Sequence, residues 1–152
     1  MDARRLVSEL LVTLGRDLGL ENLTLASDDT LTLRFDERVM ALLAVQEQEG
    51  TLLLLAPLPV PDAAGMRQAL LANFLWRETA GATLALEPET GQLALQQRLP
   101  LQGLDYPTFS AAIEVFVDMA ARQTDALAAS AADRADGMPD AQPVAFDPRF
   151  IV

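Results

Sequence analysis

Residues 66–101 read MRQALLANFLWRETAGATLALEPETGQLALQQRLPL, and this stretch decides the fold. Met66, Leu70 and Phe74 recur at helical spacing with Leu71 and Leu75 beside them, which predicts a helix over 63–78 with one apolar stripe for the core or a subunit seam. Asp62 is placed to cap its start, and Ala80-Gly81 to stop it. Two alternating runs follow, split by Pro88-Glu89-Thr90-Gly91, which predicts a β-hairpin over 83–98. Leu84 and Leu86 share one face of its first strand; Leu93 and Leu95 share one face of its second. The opposite face of the second strand carries Gln92, Ala94, Gln96 and Arg98 and is expected to be exposed. Asn73 is a poor helix former at mid-helix, so it either faces solvent or bonds a neighbouring backbone. Phe74 and Trp76 sit two positions apart and so face apart on a helix. Trp76, the single tryptophan, is the better candidate for a subunit contact, where aromatic anchors are favoured.

On the N-terminal side, residues 2–19 predict an amphipathic helix. Asp2 can cap it, Val7, Leu11, Leu14 and Leu18 form its stripe with Leu6 and Leu10, and Gly19 closes it. Strand-like alternation follows at Leu23 and Leu25, and then at Leu31, Leu33 and Phe35 against Thr30, Thr32 and Arg34. Residues 39–45 and 51–56 are apolar on both faces. Such runs belong to a sheet covered on two sides or to one that meets another subunit. Pro57, Pro59 and Pro61 end this region.

On the C-terminal side, a helix is expected over 106–129. Asp105 or Thr108 can cap it, and Phe109, Ile113, Phe116, Val117 and Ala120 form its buried stripe. Residues 1–130 then form one domain, and 131–152 a polar linker that turns apolar again in VAFDPRFIV. The order helix, three strands, helix, two strands, helix is an α+β fold (α-β-β-β-α-β-β-α) with a twisted antiparallel sheet flanked by helices.

The chain has 152 residues, 51% of them hydrophobic, enough for one domain with a real core. Eleven arginines and no lysine stand against 22 acids, a net charge of −11. That field repels phosphate backbones and anionic membranes, so neither nucleic acid nor membrane is an expected partner. The absence of cysteine and histidine removes disulfides, thiolate nucleophiles, imidazole acid–base chemistry and the usual zinc sites. The opening MDARRLVSELLVTLG is charged and periodic, unlike a signal peptide or membrane span, so a cytoplasmic location is expected.

Catalysis finds little support. Glu87 and Glu89 are paired carboxylates, but they bracket a turn, where solvated acids are routine. Serines and threonines lack a histidine or lysine partner, and no phosphate-binding glycine loop occurs. No catalytic, metal or cofactor residue is assigned. Apolar strand faces, by contrast, exceed what three helices can cover: Leu31, Leu33, Phe35, Met40, Leu42 and residues 52–55. Each leucine withdrawn from water contributes about 1.5–3 kcal/mol, so a surplus of this kind points to an interface.

The element order and several local patterns resemble the class I type III secretion chaperones over about residues 3–128. The carrying pieces are LGRDLGL at the first helix end, LTLRFDERVMALLAV, LPVPD leading into ALLANFLW, and GATLALEPETGQLALQQRLPLQGLDYPTF. Leu70, Leu71 and Asn73 resemble the family's Leu-Leu-x-x-Asn pattern, with one residue fewer before the asparagine. The resemblance implies a bacterial cytoplasmic homodimer without cofactor. It would hold the N-terminal segment of a secreted effector extended and present it to the secretion machinery, its ATPase included. It assigns Leu70, Asn73, Phe74, Trp76, Leu84 and Leu86 to the dimer interface and tips Asn73 toward a backbone bond. Leu31, Leu33, Phe35, Leu42, Leu52 and Leu54 are the expected cargo-binding residues. The apolar end of the tail would occupy such a groove in its own or a neighbouring subunit. A general interaction or regulatory module of the same fold, and a small carboxylate-dependent enzyme, remain as alternatives.

Overall fold

A computed structural model of the chain describes residues 2–132; the expectations for 133–152 fall outside the described residues. The elements are α1 (Ala3–Leu18), β1 (Thr30–Phe35), β2 (Val39–Gln46), β3 (Thr51–Pro57), α2 (Ala63–Ala72), β4 (Thr83–Leu86), β5 (Leu93–Pro100) and α3 (Tyr106–Ala132), with a 3-10 turn at Phe74–Trp76. The strands form one antiparallel sheet in the order β1-β2-β3-β5-β4. The run at Leu23 and Leu25 is an irregular connection. It is held by Ala26 N–H to the Thr30 carbonyl at 2.8 Å, with only Leu25 of the two leucines buried.

Side-chain acids set the helix starts. Asp2 accepts from Arg5 N–H, Asp62 from Gly65 N–H at 2.7 Å, and Asp105 from Thr108 N–H at 3.0 Å. Each satisfies an amide that the helix itself leaves free. Thr108 lowers the pKa of the Asp105 carboxyl, its side-chain bond first and its amide second. A carboxyl depressed in the folded state contributes stability above its unfolded pKa, and that stability is lost as pH falls through the folded value. Thermal melts below about pH 4 should therefore show an acid-induced loss in the native chain that is smaller in Asp105→Asn.

One sheet face carries the core. Leu33, Val39, Ala41, Leu43, Leu52, Leu54, Leu95 and Leu99 pack against Val7, Leu11 and Leu14 of α1 and Phe109, Ile113 and Phe116 of α3. The α1 stripe is narrower than its spacing predicts, because Leu18 is exposed where the helix leaves the sheet. Gly15 lets the chain turn there. Leu20 N–H donates to the Gly15 carbonyl at 2.8 Å, and Gly19 takes the left-handed conformation (φ 67°). A Cβ on Gly15 would lie 2.8 Å from the Leu20 carbonyl oxygen, a backbone atom. Gly15→Ala should thus cost about 1–3 kcal/mol in denaturant titrations despite the better helix former.

The largest departure from expectation is α2. The spacing predicts a helix to residue 78, but α2 ends at Ala72 and the chain kinks: Leu75 (φ 57°) and Trp76 (φ 53°) both adopt left-handed backbone. Its buried residues are Gly65 and Ala69, not the apolar stripe. These small residues let α2 lie close to α3, with Leu127 Cδ2 3.3 Å from the point where a Gly65 Cβ would be. Met66, Leu70 and Phe74 consequently face away from the core, Leu70 being 71% and Phe74 74% exposed. Leu33, Leu52 and Leu54, expected in a cargo groove, are instead buried beneath the helices, because strand alternation turns them onto the covered face. Gln92 and Ala94, expected to be exposed, are both buried. The Gln92 amide is drawn inward to the Leu58 carbonyl, and Ala94 packs with Leu42 and Leu55 on the opposite sheet face.

Candidate functional site

Two surfaces remain that the fold does not cover. The first is the sheet face opposite α1 and α3. Register places Thr32, Leu42, Leu55, Gln96 and Thr83 in one row across all five strands. A neighbouring row runs Thr30, Ala44, Leu53 and Arg98. The centre of this face is therefore apolar and its margins polar. A groove of about 670 Å³ opens over β3, β5 and β4, floored by Leu53, Leu55 and Ala94 and rimmed by Gln96, Arg98, Glu87 and Glu89. Arg98 is held by Glu49 at 3.1 Å.

The second surface is a ridge on α2 and the turn after it. Leu70, Leu71, Phe74, Leu75 and Trp76 are all large, apolar and exposed, and Leu86 on β4 adds to them. Two consecutive non-glycine left-handed residues cost on the order of 1–2 kcal/mol each. The kink is offset by Trp76 N–H to the Asn73 carbonyl at 3.1 Å, Gly81 N–H to the Trp76 carbonyl at 3.2 Å, and the Trp76 indole N–H to Thr83 Oγ1 at 3.2 Å. Trp76 thus lies over β4 while Phe74 projects.

Asn73 joins this ridge to the sheet. Its Nδ2 donates to the Leu84 carbonyl at 2.9 Å, and its Oδ1 accepts Leu84 N–H at 2.8 Å. One side-chain amide satisfies both backbone groups that Leu84 turns away from β5, much as a further strand would. Asn73 therefore bonds a neighbouring backbone rather than solvent. Leu84 itself is buried on the core face, whereas Leu86 is exposed. At the other edge of the sheet, Thr30 is occupied by its own loop: its carbonyl accepts Ala26 N–H, and its amide donates to Asp28 Oδ1 at 3.3 Å. Thr32 and Arg34 share its parity and direct their backbone groups off the sheet. Leu31 and Phe35 lie half-buried beneath that edge, against the core.

The acids at the groove rim have structural work. The Glu87 carboxylate accepts Glu89 N–H at 3.0 Å, Thr90 N–H at 2.7 Å and the Thr90 hydroxyl, which ties the hairpin turn. Among the described residues, no cluster of acids, histidines or cysteines is arranged to hold a metal ion, and no helix is long and apolar enough to cross a membrane. The Thr30 hydroxyl lowers the Asp28 pKa in the turn that opens β1, and the bond to Asp17 raises that of Tyr106, linking α3 to α1 at the surface.

Residues 9–123 match the model of the Tir chaperone protein (CesT) family. No curated protein matches the chain. Among solved structures, the chain resembles one in the ExsC-ExsE complex at 25% identity and a TM-score of 0.74, over 84% of this chain and 97% of that one. It also resembles one in the ExoU-SpcU complex of the Pseudomonas aeruginosa type III secretion system, at 20% identity and a TM-score of 0.61, over 80% and 97% of the two chains. YbjN, a putative transcription regulator from E. coli, shares the fold at 20% identity and a TM-score of 0.54, over 82% and 92%.

Proposed function

Because the chain belongs to the Tir chaperone protein (CesT) family and is an effector-binding chaperone of type III secretion, we propose that it works as a homodimer that holds the N-terminal segment of an effector extended on its surface. The carrying observation is the exposed ridge Leu70–Trp76, with the apolar sheet face beside it. Burying each large side chain of the ridge contributes about 1.5–3 kcal/mol, and a monomer would leave the ridge in water. The ridge, with Asn73 fixing it and Leu84 and Leu86 flanking it, supports a subunit seam. Leu31, Phe35 and Leu42 lie toward the open β1 edge, where an extended segment adds backbone hydrogen bonds at Thr32 and Arg34. The net charge of −11 favours basic cargo.

In this reading no turnover or cofactor is involved. The complex is handed to the secretion machinery, its ATPase included, in the bacterial cytoplasm. The test is sizing by light scattering with and without an effector's N-terminal segment. A dimer that takes up one segment is expected, and Phe74→Asp should leave a folded monomer. A native chain that stays monomeric at tens of micromolar would overturn the dimer. The likeness to YbjN favours a second reading, an interaction module outside secretion, and a tight partner that is never exported would establish it.

A further inference from the structure

The outward backbone groups of β1 leave a short open window. Thr30 is taken: its carbonyl accepts Ala26 N–H at 2.8 Å, and its amide donates to Asp28 Oδ1 at 3.3 Å. At the other end Asp36 (φ 49°) and Glu37 (φ 56°) turn the chain into β2, and Arg38 N–H donates to the Phe35 carbonyl at 3.0 Å. Between these stops, Thr32 and Arg34 point their amides and carbonyls off the sheet. At the opposite edge Asn73 already takes both outward groups of Leu84, so β4 offers no such run.

The window also carries a cation without a partner. Arg4 pairs with Asp29, Arg38 with Asp125 and Arg98 with Glu49. Arg34 is exposed and has no ion pair among the described residues. Its neighbours on the open sheet face are Thr32 along the strand and Met40 across it, neither an acid. Asp36, the next acid along the chain, lies in the turn and forms no ion pair with it. In antiparallel addition at this edge, Thr32 and Arg34 exchange both bonds with the residues directly opposite, whose side chains share their face. The alternate residues of the added segment then lie beside Phe35, Leu33 and Leu31 on the helix-covered face, where Leu31 and Phe35 are only half-buried.

We propose that the β1 edge selects an extended segment of the pattern apolar-acidic-apolar-polar-apolar, with its acid opposite Arg34 and its apolar residues beside Phe35, Leu33 and Leu31 in that order. This rests on the strand-addition reading above and adds to it a register and a residue preference. The net charge of −11 draws basic segments to the surface as a whole. Opposite Arg34 the local contact reverses that preference, so field and contact predict opposite orders.

The probes are fluorescein-labelled peptides with Val-Glu-Val-Thr-Val between Gly-Ser flanks, and the same peptides with Lys or Gln in place of Glu, titrated with the full chain by fluorescence polarisation. The Glu peptide should bind at least about threefold tighter than the Lys peptide, with Gln between them. Arg34→Glu, an exposed substitution checked for fold by circular dichroism, should reverse the order. Binding should protect the Thr32 and Arg34 amides from hydrogen exchange and leave Leu84 unchanged. Lys ahead of Glu on the native chain, an order that Arg34→Glu leaves as it was, protection only elsewhere, or no binding by any of the three peptides each overturn the inference. Sizing with an effector segment reads the chaperone function separately. A dimer that takes up an effector while the peptide order fails loses only the edge preference; ordered peptides on a chain that takes up no effector count only against the chaperone reading.

Discussion

Asn73→Ala should lower the unfolding free energy by about 2–4 kcal/mol, the largest expected loss for any polar side chain in the described residues. Two hydrogen bonds disappear at once, to the Leu84 carbonyl and from the Leu84 amide. A net bond is worth about 0.5–1.5 kcal/mol, and a buried partner left without one costs about 1–3 kcal/mol more. Leu84 is only 4% exposed, so water replaces Asn73 poorly. Asn73→Asp separates the two bonds. The introduced carboxylate still accepts from Leu84 N–H, but its other oxygen faces the Leu84 carbonyl. Protonation converts that repulsion into a donated bond, so the carboxyl's folded pKa lies above its unfolded value. Stability from the protonated form is present below the unfolded value, about 3.9, and is lost as pH rises through the folded one. Chemical denaturation should therefore show the deficit relative to the native chain shrinking from pH 8 to pH 4. A deficit of the same size at both pH values would mean that the donor half of the clasp contributes nothing. Removal of the clasp should also expose the β4 edge, and a rise in concentration-dependent self-association of Asn73→Ala by light scattering would report it.

Where periodicity reports burial, the fold was legible in the sequence. The stripes of α1 and α3, the alternation in β1 and the turn at 88–91 each obey one rule, and each appears at the expected place. The ridge was not legible, for a physical reason. An apolar stripe at helical spacing states that a face avoids water; it does not say whether the cover is the chain's own core or another molecule. In α2 the contact with α3 is made through Gly65 and Ala69, residues too small to register as a stripe. The kink at Leu75 and Trp76 leaves no mark either, since neither residue favours positive φ. Strand faces posed the same difficulty. Residues 52–55 are apolar throughout, so the sequence could not say which pair lies under the helices. Asn73 was the exception. A poor helix former expected in mid-helix left solvent and a backbone partner both open, and the family resemblance favoured the partner; the structure places Asn73 at the end of α2 and identifies that partner as Leu84.

Two neighbouring leucines of β3 should respond to substitution in opposite ways. Leu54 is fully buried under the helices, and Leu55 lies on the opposite face with Leu42 and Ala94. Leu54→Ala should cost about 2–5 kcal/mol, the usual range for a leucine removed from a close-packed core. Effector affinity of the fraction that remains folded should be unchanged. Leu55→Glu should keep the fold and lose the partner. Leu55 is only 7% exposed, but among the described residues no helix covers that face and Leu55 lines its open groove, so the longer carboxylate side chain can reach water through it, and the cost in stability should stay within about 2 kcal/mol. A partner seated on the face would have to desolvate the charge, an expense of several kcal/mol, so binding should fall by at least tenfold. Circular-dichroism melts and titration calorimetry on the two variants separate stability from binding. If Leu54→Ala keeps its melting temperature but loses the partner, the helix-covered face is not core in solution, and a groove must open between the sheet and α1. If Leu55→Glu binds as tightly as the native chain, the bare sheet face is not a partner surface, and recognition would fall to the ridge and the β1 edge alone.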